Sequence, residues 1–378
     1  MGMVFGIRST RRAAMPLAYE LLAEIFKIYV SFPDTLPEIL LQVCRSWNAV
    51  ASNEPVLWTK FIVDHDMINP TKDWVVLRDN ATLTHDWIGI FKRRLARAGP
   101  SLPLQVEIIT LNKCLLPVID VISGGAPDYI HLPRWETLYL RTCDMIRPAY
   151  PTEPFFAQDH CWGGIADLIS QPTPSLRRLT LQQNKIDFHA FPDAPNLEEL
   201  NIIYSRSPAI GQTNSFPNLK KVHITYPTKY PLSLVHLSDF SLQKIETLII
   251  GGEVEIGQYV LGSYPSLTTL ELTGRVPHGI IYISAPRLRH LILPSDNLFC
   301  LIFPPPDGES QHANPQHKNR QVLEMLASRF PTVEILEVHK NLKSLVSEMS
   351  SGKIEFFTGL KELRIIAKDD RPRADFAY

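Results

Sequence analysis

Asp159, His160 and Cys161 place a carboxylate, an imidazole and a thiol in one run, the three groups a cysteine hydrolase needs. Such groups act when a fold gathers them from separate segments; three consecutive residues point apart and do not line up as nucleophile, base and orienter. His312 and His317 stand five apart in a polar stretch, without the companion ligands a zinc site requires. The sequence has no Gly-x-Ser-x-Gly elbow and no Gly-rich phosphate loop ending in Lys. Gly124-Gly125, Gly163-Gly164 and Gly251-Gly252 read as turns or as bends between larger elements. No catalytic residues, no metal site and no cofactor are therefore expected, and function is sought on surfaces.

Charge excludes further classes. Lys and Arg number 38 against 39 Asp and Glu, a formal net charge of −1, so no long-range field draws in nucleic acid or an anionic membrane. The five cysteines (Cys44, Cys114, Cys143, Cys161, Cys300) are odd in number, scattered and without a Cys-x-x-Cys pair. They read as reduced thiols of an intracellular protein, placed in the cytoplasm or nucleus. No apolar run reaches the roughly 18 residues of a membrane span. Arg8, Arg11 and Arg12 belong to an amino-terminal stretch, 1–14, read as a disordered tail.

The elements that could carry function begin at Met15. Leu17, Leu21, Ile25 and Ile28 recur at helical spacing, with Leu22, Phe26 and Tyr29 beside them. That stripe is broader than a small helix needs for its own neighbours. Pro16 suits a first helical turn, where its missing amide costs nothing. A second amphipathic segment carries Leu40, Leu41, Val43, Cys44, Trp47, Val50 and Ala51, and Leu57 and Trp58 follow Pro55. So much apolar surface on so few residues predicts a helical module that presents a face to a partner.

These residues resemble the F-box, in the F-box-like form common in fungal proteins. The family's Leu-Pro-x-Glu-Leu-Leu-x-x-Ile-Phe opening matches Leu17, Glu20, Leu21, Leu22, Ile25 and Phe26, with Pro16 displaced by one place. Its Val-Cys-x-x-Trp core matches Val43, Cys44 and Trp47, and its closing Pro-x-Leu-Trp matches Pro55, Leu57 and Trp58. The resemblance covers about an eighth of the chain. It implies docking to the Skp-type adaptor of a cullin-based ubiquitin ligase, through Pro16, Leu17, Leu21, Ile25, Val43, Cys44, Trp47, Leu57 and Trp58.

Thr84 to Ala98 follows as a helix with Trp87, Ile88, Phe91 and Leu95 on one face. Lys92, Arg93, Arg94 and Arg97 fall mainly on the other, read as solvated. Gly99-Pro100 ends it, and Leu104, Val106 and Ile108 alternate as in a strand. From there the chain repeats the phrase Pro-x-Leu-x-x-Leu-x-Leu, as in Pro174-Ser-Leu176-Arg-Arg-Leu179-Thr-Leu181 and Pro195-Asn-Leu197-Glu-Glu-Leu200-Asn-Ile202. Its first leucine-like positions fall at 176, 197, 219, 245, 267, 288, 333 and 360, in steps of 21, 22, 26, 22, 21, 45 and 27. Periods of about 20–29 residues with this phrase are the signature of leucine-rich repeats. The doubled step contains a Pro-rich polar stretch, 304–321, read as an exposed loop, and Arg320 to Phe330 reads as a return helix.

In Leu-x-x-Leu-x-Leu the residue between the last two apolar ones points away from the core. Stacked strands therefore align Tyr139, Thr180, Asn201, His223, Ile249, Glu271, Ile292, Glu337 and Arg364 as a candidate target-binding row on the concave sheet, with Arg141, Arg178, Glu199 and Lys221 among its flanks. Mixed charge with apolar spots suits a protein ligand better than nucleic acid.

The chain is thus read as an α+β repeat protein, a small helical F-box-like module (15–62), a helical linker (63–100) and an irregular α/β leucine-rich-repeat solenoid (101–366), with a tail at 367–378. The resemblance makes it a non-catalytic substrate adaptor of an SCF-type ubiquitin ligase. The alternative is a leucine-rich-repeat scaffold whose F-box-like module is a non-docking cap; a hydrolase acting through Asp159-His160-Cys161 is retained only formally.

Overall fold

The computed structural model describes residues 17–32, 35–64, 81–109, 116–141, 168, 171–182, 194–203, 216–226, 242–252, 262–273, 283–293, 315–339, 347, 351 and 357–366. Pro16, the run Asp159-His160-Cys161, Gly163-Gly164, His312, residues 304–314 and both tails lie outside them. The chain divides into two compact units, Met1–Lys60 with Lys92–Leu102, and Phe61–Phe91 with Pro103–Tyr378.

The first unit is helical. Helix α1 (Tyr19–Ser31) starts without a side-chain cap at Ala18, but Glu20 lies in its first turn, where the helix dipole favours an acid. Its end is tied off by hydroxyls, with Ser31 Oγ donating to Ile28 O at 2.7 Å and Thr35 Oγ1 to Tyr29 O at 3.0 Å. Leu22, Ala23 and Phe26 turn inward. The second amphipathic segment is not one helix. A 3₁₀ turn (Pro37–Ile39) leads into α2 (Leu40–Val43), Cys44 is fully extended, and α3 (Arg45–Ser52) follows. Asn48 holds the break: its amide N–H reaches Cys44 O at 2.9 Å and its side chain Leu41 O at 2.9 Å. A second 3₁₀ turn, Pro55–Trp58, brings Leu57 and Trp58 into the core beside Leu40, Val50 and Ala51. Both turns begin with Pro, whose fixed φ suits a helical start.

Helix α4 (Ala81–Ala98) begins three residues before the sequence expectation and contributes to both units. In the second unit Phe91 meets Phe61 and Trp87, each at 5.7 Å between ring centroids. In the first, the basic face is not simply solvated. Arg94 is 2% exposed, and its Nε and Nη2 donate to the two carboxylate oxygens of Glu38, both at 2.6 Å. Arg97 lies over the Trp58 ring, 4.4 Å from its centroid.

The second unit is built on an 11-stranded sheet in the order β1 (Lys60–Asp64), β2 (Leu104–Ile109), β3 (Trp135–Arg141), β4 (Arg178–Gln182), β5 (Glu199–Ile203), β6 (Lys221–Tyr226), β7 (Thr247–Gly252), β9 (Thr269–Thr273), β11 (His290–Leu293), β12 (Ile335–His339) and β13 (Glu362–Ile366). Pairings from β2 to β13 are all parallel. Two short segments, β8 (Gly262–Ser263) and β10 (Ile283–Ser284), pair beside it. The strand order follows the chain, as it must when each repeat stacks on the one before. Strand β1 was not anticipated, since its five residues lack the repeat phrase.

The phrase explains itself in hydrogen bonds. The first leucine donates back to the residue before proline, as in Leu176 N to Thr173 O (3.1 Å), Leu197 N to Ala194 O (3.1 Å) and Leu288 N to Ala285 O (3.1 Å). Proline takes the second position of that turn, which its fixed φ favours. The residue before it is buried at every described copy with proline, Leu132, Thr173, Ala194, Phe216, Tyr264, Ala285 and Phe330, and Phe357 is buried at the same position before Thr358. That apolar position belongs to the phrase and was missed in the sequence.

After the first leucine each chain donates to the preceding repeat, from Arg177 N to Glu136 O through Glu198, Lys220, Glu246, Thr268, Arg289 and Glu334 to Lys361. The side chains on this ladder alternate in sign except at Thr268. Arg177 sits 3.8 Å from Glu136 and Lys361 3.1 Å from Glu334.

The inward row Leu138, Leu179, Leu200, Val222, Leu248, Leu270, Leu291 and Leu336 is in register and buried. Gly251 is not a bend between repeats but part of β7; a Cβ there would run into Thr273 Oγ1. Gly124 and Gly125 do form a turn, both at positive φ. In the doubled repeat, α5 (Leu116–Ser123) being the earlier return helix, α6 (Pro315–Arg329) buries Val322, Leu323 and Leu326, with Phe330 just beyond. Residues 315–321, read as loop, are therefore helix.

Candidate functional site

Two surfaces satisfy the demand for exposed, organised side chains. On the first unit, Leu17, Leu21, Ile25, Ile28 and Phe32 are each 45–60% exposed. They follow at intervals of three and four residues, so Leu21, Ile25 and Ile28 share one side of α1 while Leu22 and Phe26 fill the core on the other. Ile39, Val43 and Val56 are exposed as well, and so is Cys44 at the break before α3. The sequence missed Ile39 and Val56 because neither falls on a regular helical stripe.

Three of the anticipated adaptor contacts are placed differently. Trp58 is 0% exposed, donates its indole N–H to Ala51 O at 2.8 Å, and carries Arg97 on its ring. Leu57 is buried alongside it. Both are core residues of the unit and do not reach its surface. The position that closes a compact turn is where large apolar side chains are swallowed first. Trp47 is half-buried, packed against the Phe26 ring at 4.9 Å between centroids, so it offers an edge and not a free side chain.

The second surface is the outward side of the long sheet. The register sets Tyr139 opposite Thr180, then Asn201, His223, Ile249, Glu271, Ile292, Glu337 and Arg364, the whole anticipated row. Its members are tied to one another or to flanking side chains. Tyr139 donates to the Gln182 carboxamide oxygen, Asn201 Nδ2 to Thr180 Oγ1 at 3.1 Å, and the His223 ring pairs with Thr225 Oγ1 at 2.8 Å. At the far end, Glu337 Oε1 meets His290 Nε2 at 2.9 Å and Arg364 Nη1 at 3.0 Å. Ile292, expected as an exposed apolar spot, is only 8% exposed, which leaves Ile249 as the accessible aliphatic of the row.

Partners set the charge states. Burial pushes the Glu199 carboxyl up, but the hydrogen bond and charge of Lys221, 2.7 Å away, outweigh it and hold the group below the usual carboxylate range. Burial lowers His223, Lys221 adds to that, and Glu199 opposes it, so the ring is held neutral more firmly than a free histidine. The Glu362 carboxyl is lowered chiefly by its hydrogen bond to Arg364. Among the described residues no group of three or more His, Cys, Asp or Glu could hold a metal, and no helix is long and apolar enough to cross a membrane.

No family model matches the sequence, and no curated protein matches it. A solved structure, an internalin from Listeria monocytogenes, is similar at 13% identity over 76% of this chain and 80% of its own, with a TM-score of 0.29. A superposition that loose bears on neither shape nor function. The α/β repeat architecture with its long parallel sheet rests on the strand register itself.

Proposed function

We propose that the chain is a non-catalytic, intracellular substrate adaptor of a cullin-type ubiquitin ligase. Its first unit docks a Skp-type adaptor, and the outward sheet face holds a target protein. One observation carries this reading: Leu17, Leu21, Ile25, Ile28 and Phe32 stay exposed on a unit that already owns a core of Phe26, Leu40, Val50, Leu57 and Trp58. A stripe its own fold does not use is suited to burial by a partner. Its resemblance to the F-box phrase supports a Skp-type adaptor as that partner. The adaptor performs no bond chemistry; it raises the effective concentration of a target lysine near the charged conjugating enzyme.

The test is co-purification with a Skp-type adaptor, comparing the natural chain with Leu21→Asp/Ile25→Asp. Both positions are exposed, so the variant keeps the helix while placing charge in the stripe. Loss of the adaptor with an unchanged circular dichroism spectrum is the expected result. Equal recovery would overturn the reading in favour of a leucine-rich-repeat scaffold with a non-docking cap.

A further inference from the structure

The outward basic groups of the sheet are almost all engaged. Lys221 and Arg178 reach Glu199 at 2.7 and 3.9 Å, and His290 and Arg364 reach Glu337. Arg141 differs. Among the described residues it has neither an acid nor a hydrogen-bond acceptor, and its Nε is sealed from solvent without a partner. A buried unpaired donor of a charged group is costly, and its presence calls for a specific explanation.

Its neighbours in the row belong to paired strands. Arg141 ends β3 between Ile109 of β2 and Gln182 of β4, in register with both. Gln182 is buried and accepts the Tyr139 hydroxyl, and Ile203, next in the same row, is nearly buried. Arg141 is half-buried, in one row with aliphatic and amide side chains and with Tyr139 two residues before it on the same side.

We infer that Arg141 receives a carboxylate: the outward sheet face takes a partner segment in which an Asp or Glu side chain, flanked by aliphatic residues, pairs with the outer Nη groups of this guanidinium. One uncompensated positive charge matches a monoanionic carboxylate; a phosphate, nearly a dianion, draws on several donors. The flanking aliphatics fit Ile109. This inference rests on the sheet face being the target surface and adds what that target must display.

The experiment uses the full chain labelled with ¹⁵N-arginine and ¹³C-histidine. The Arg141 Nε–H signal is assigned by its loss in Arg141→Lys, which also serves as the folding control. The probes are acetyl-Leu-Glu-Leu-amide, acetyl-Leu-Gln-Leu-amide and the phosphoserine analogue. The glutamate peptide is expected to shift the Arg141 signal saturably and to bind about tenfold or more tighter than the glutamine peptide, the scale of a hydrogen bond to a charged group. Arg141→Gln should remove that preference. Equal binding of the two peptides, stronger binding of the phosphoserine peptide, or an unchanged preference in Arg141→Gln overturns the inference. If only the His223 signal moves, the face still binds peptide and the Arg141 assignment alone fails. If neither signal moves with any probe, both the assignment and the face as a peptide-binding surface fall.

Discussion

The two surfaces solve the problem of binding in opposite ways. The α1 stripe exposes bare aliphatic side chains, whose only gain on docking is release from water. The sheet face exposes polar side chains that already satisfy one another, as in Thr180 with Asn201 and His290 with Glu337. An aliphatic stripe accepts any complementary apolar groove. A pre-paired polar row penalises every partner that breaks a bond without replacing it, so it discriminates. The contrast suits a constant partner at one surface and a selected one at the other.

The contrast can be broken from beneath. Trp58→Ala should destabilise the first unit by about 3–5 kcal/mol, and Leu270→Ala the repeats by about 2–5 kcal/mol, in urea unfolding. Both residues are 0% exposed. A small loss at Trp58 would mean that it serves the surface after all. Removing one member of the Arg94–Glu38 pair comes next: Glu38→Ala should cost about 3 kcal/mol, and an apolar replacement of both residues much less. Full stability of the single variant would return α4's basic face to solvent.

A smaller effect has the opposite sign. Tyr264 is buried with its hydroxyl unpartnered, and burial alone raises its pKa. Tyr264→Phe should raise stability by about 1 kcal/mol, seen as a higher urea midpoint. The smallest effect separates the two surfaces by pH, because the sheet face titrates and the stripe does not. His223 has a folded pKa below its ordinary 6.5, so below that pH the unfolded chain takes up a proton that the folded chain resists. Stability should fall as pH drops below about 6.5, through the folded pKa, and His223→Gln should flatten that slope. An equal slope in the variant assigns the titration elsewhere.

What the sequence made legible follows from what is periodic. The inward leucines and the outward row sit on a two-residue alternation anchored by a turn, so one register fixes all of them. Arg94 was misplaced because periodicity assigns it to the polar side of a helix without showing that Glu38, 56 residues away, meets it there. Leu57 and Trp58 were read as contacts because a motif lists residue types without saying which way they turn. Strand β1 stayed hidden because its apolar run, Phe61, Ile62 and Val63, is too short to show a period and lies outside the repeat phrase.

The alternating ladder of Glu136, Arg177, Glu198, Lys220 and Glu246 sets a rule for how this chain can lengthen or shorten. Excising the repeat that carries Glu198 would bring Arg177 beside Lys220, and excising the one that carries Lys220 would bring Glu198 beside Glu246. Each like-charge contact is worth only a few tenths of a kcal/mol, but it falls just before strands that must pair to fold. Along this stretch, blocks of two repeats can be gained or lost with the alternation intact, and single repeats cannot.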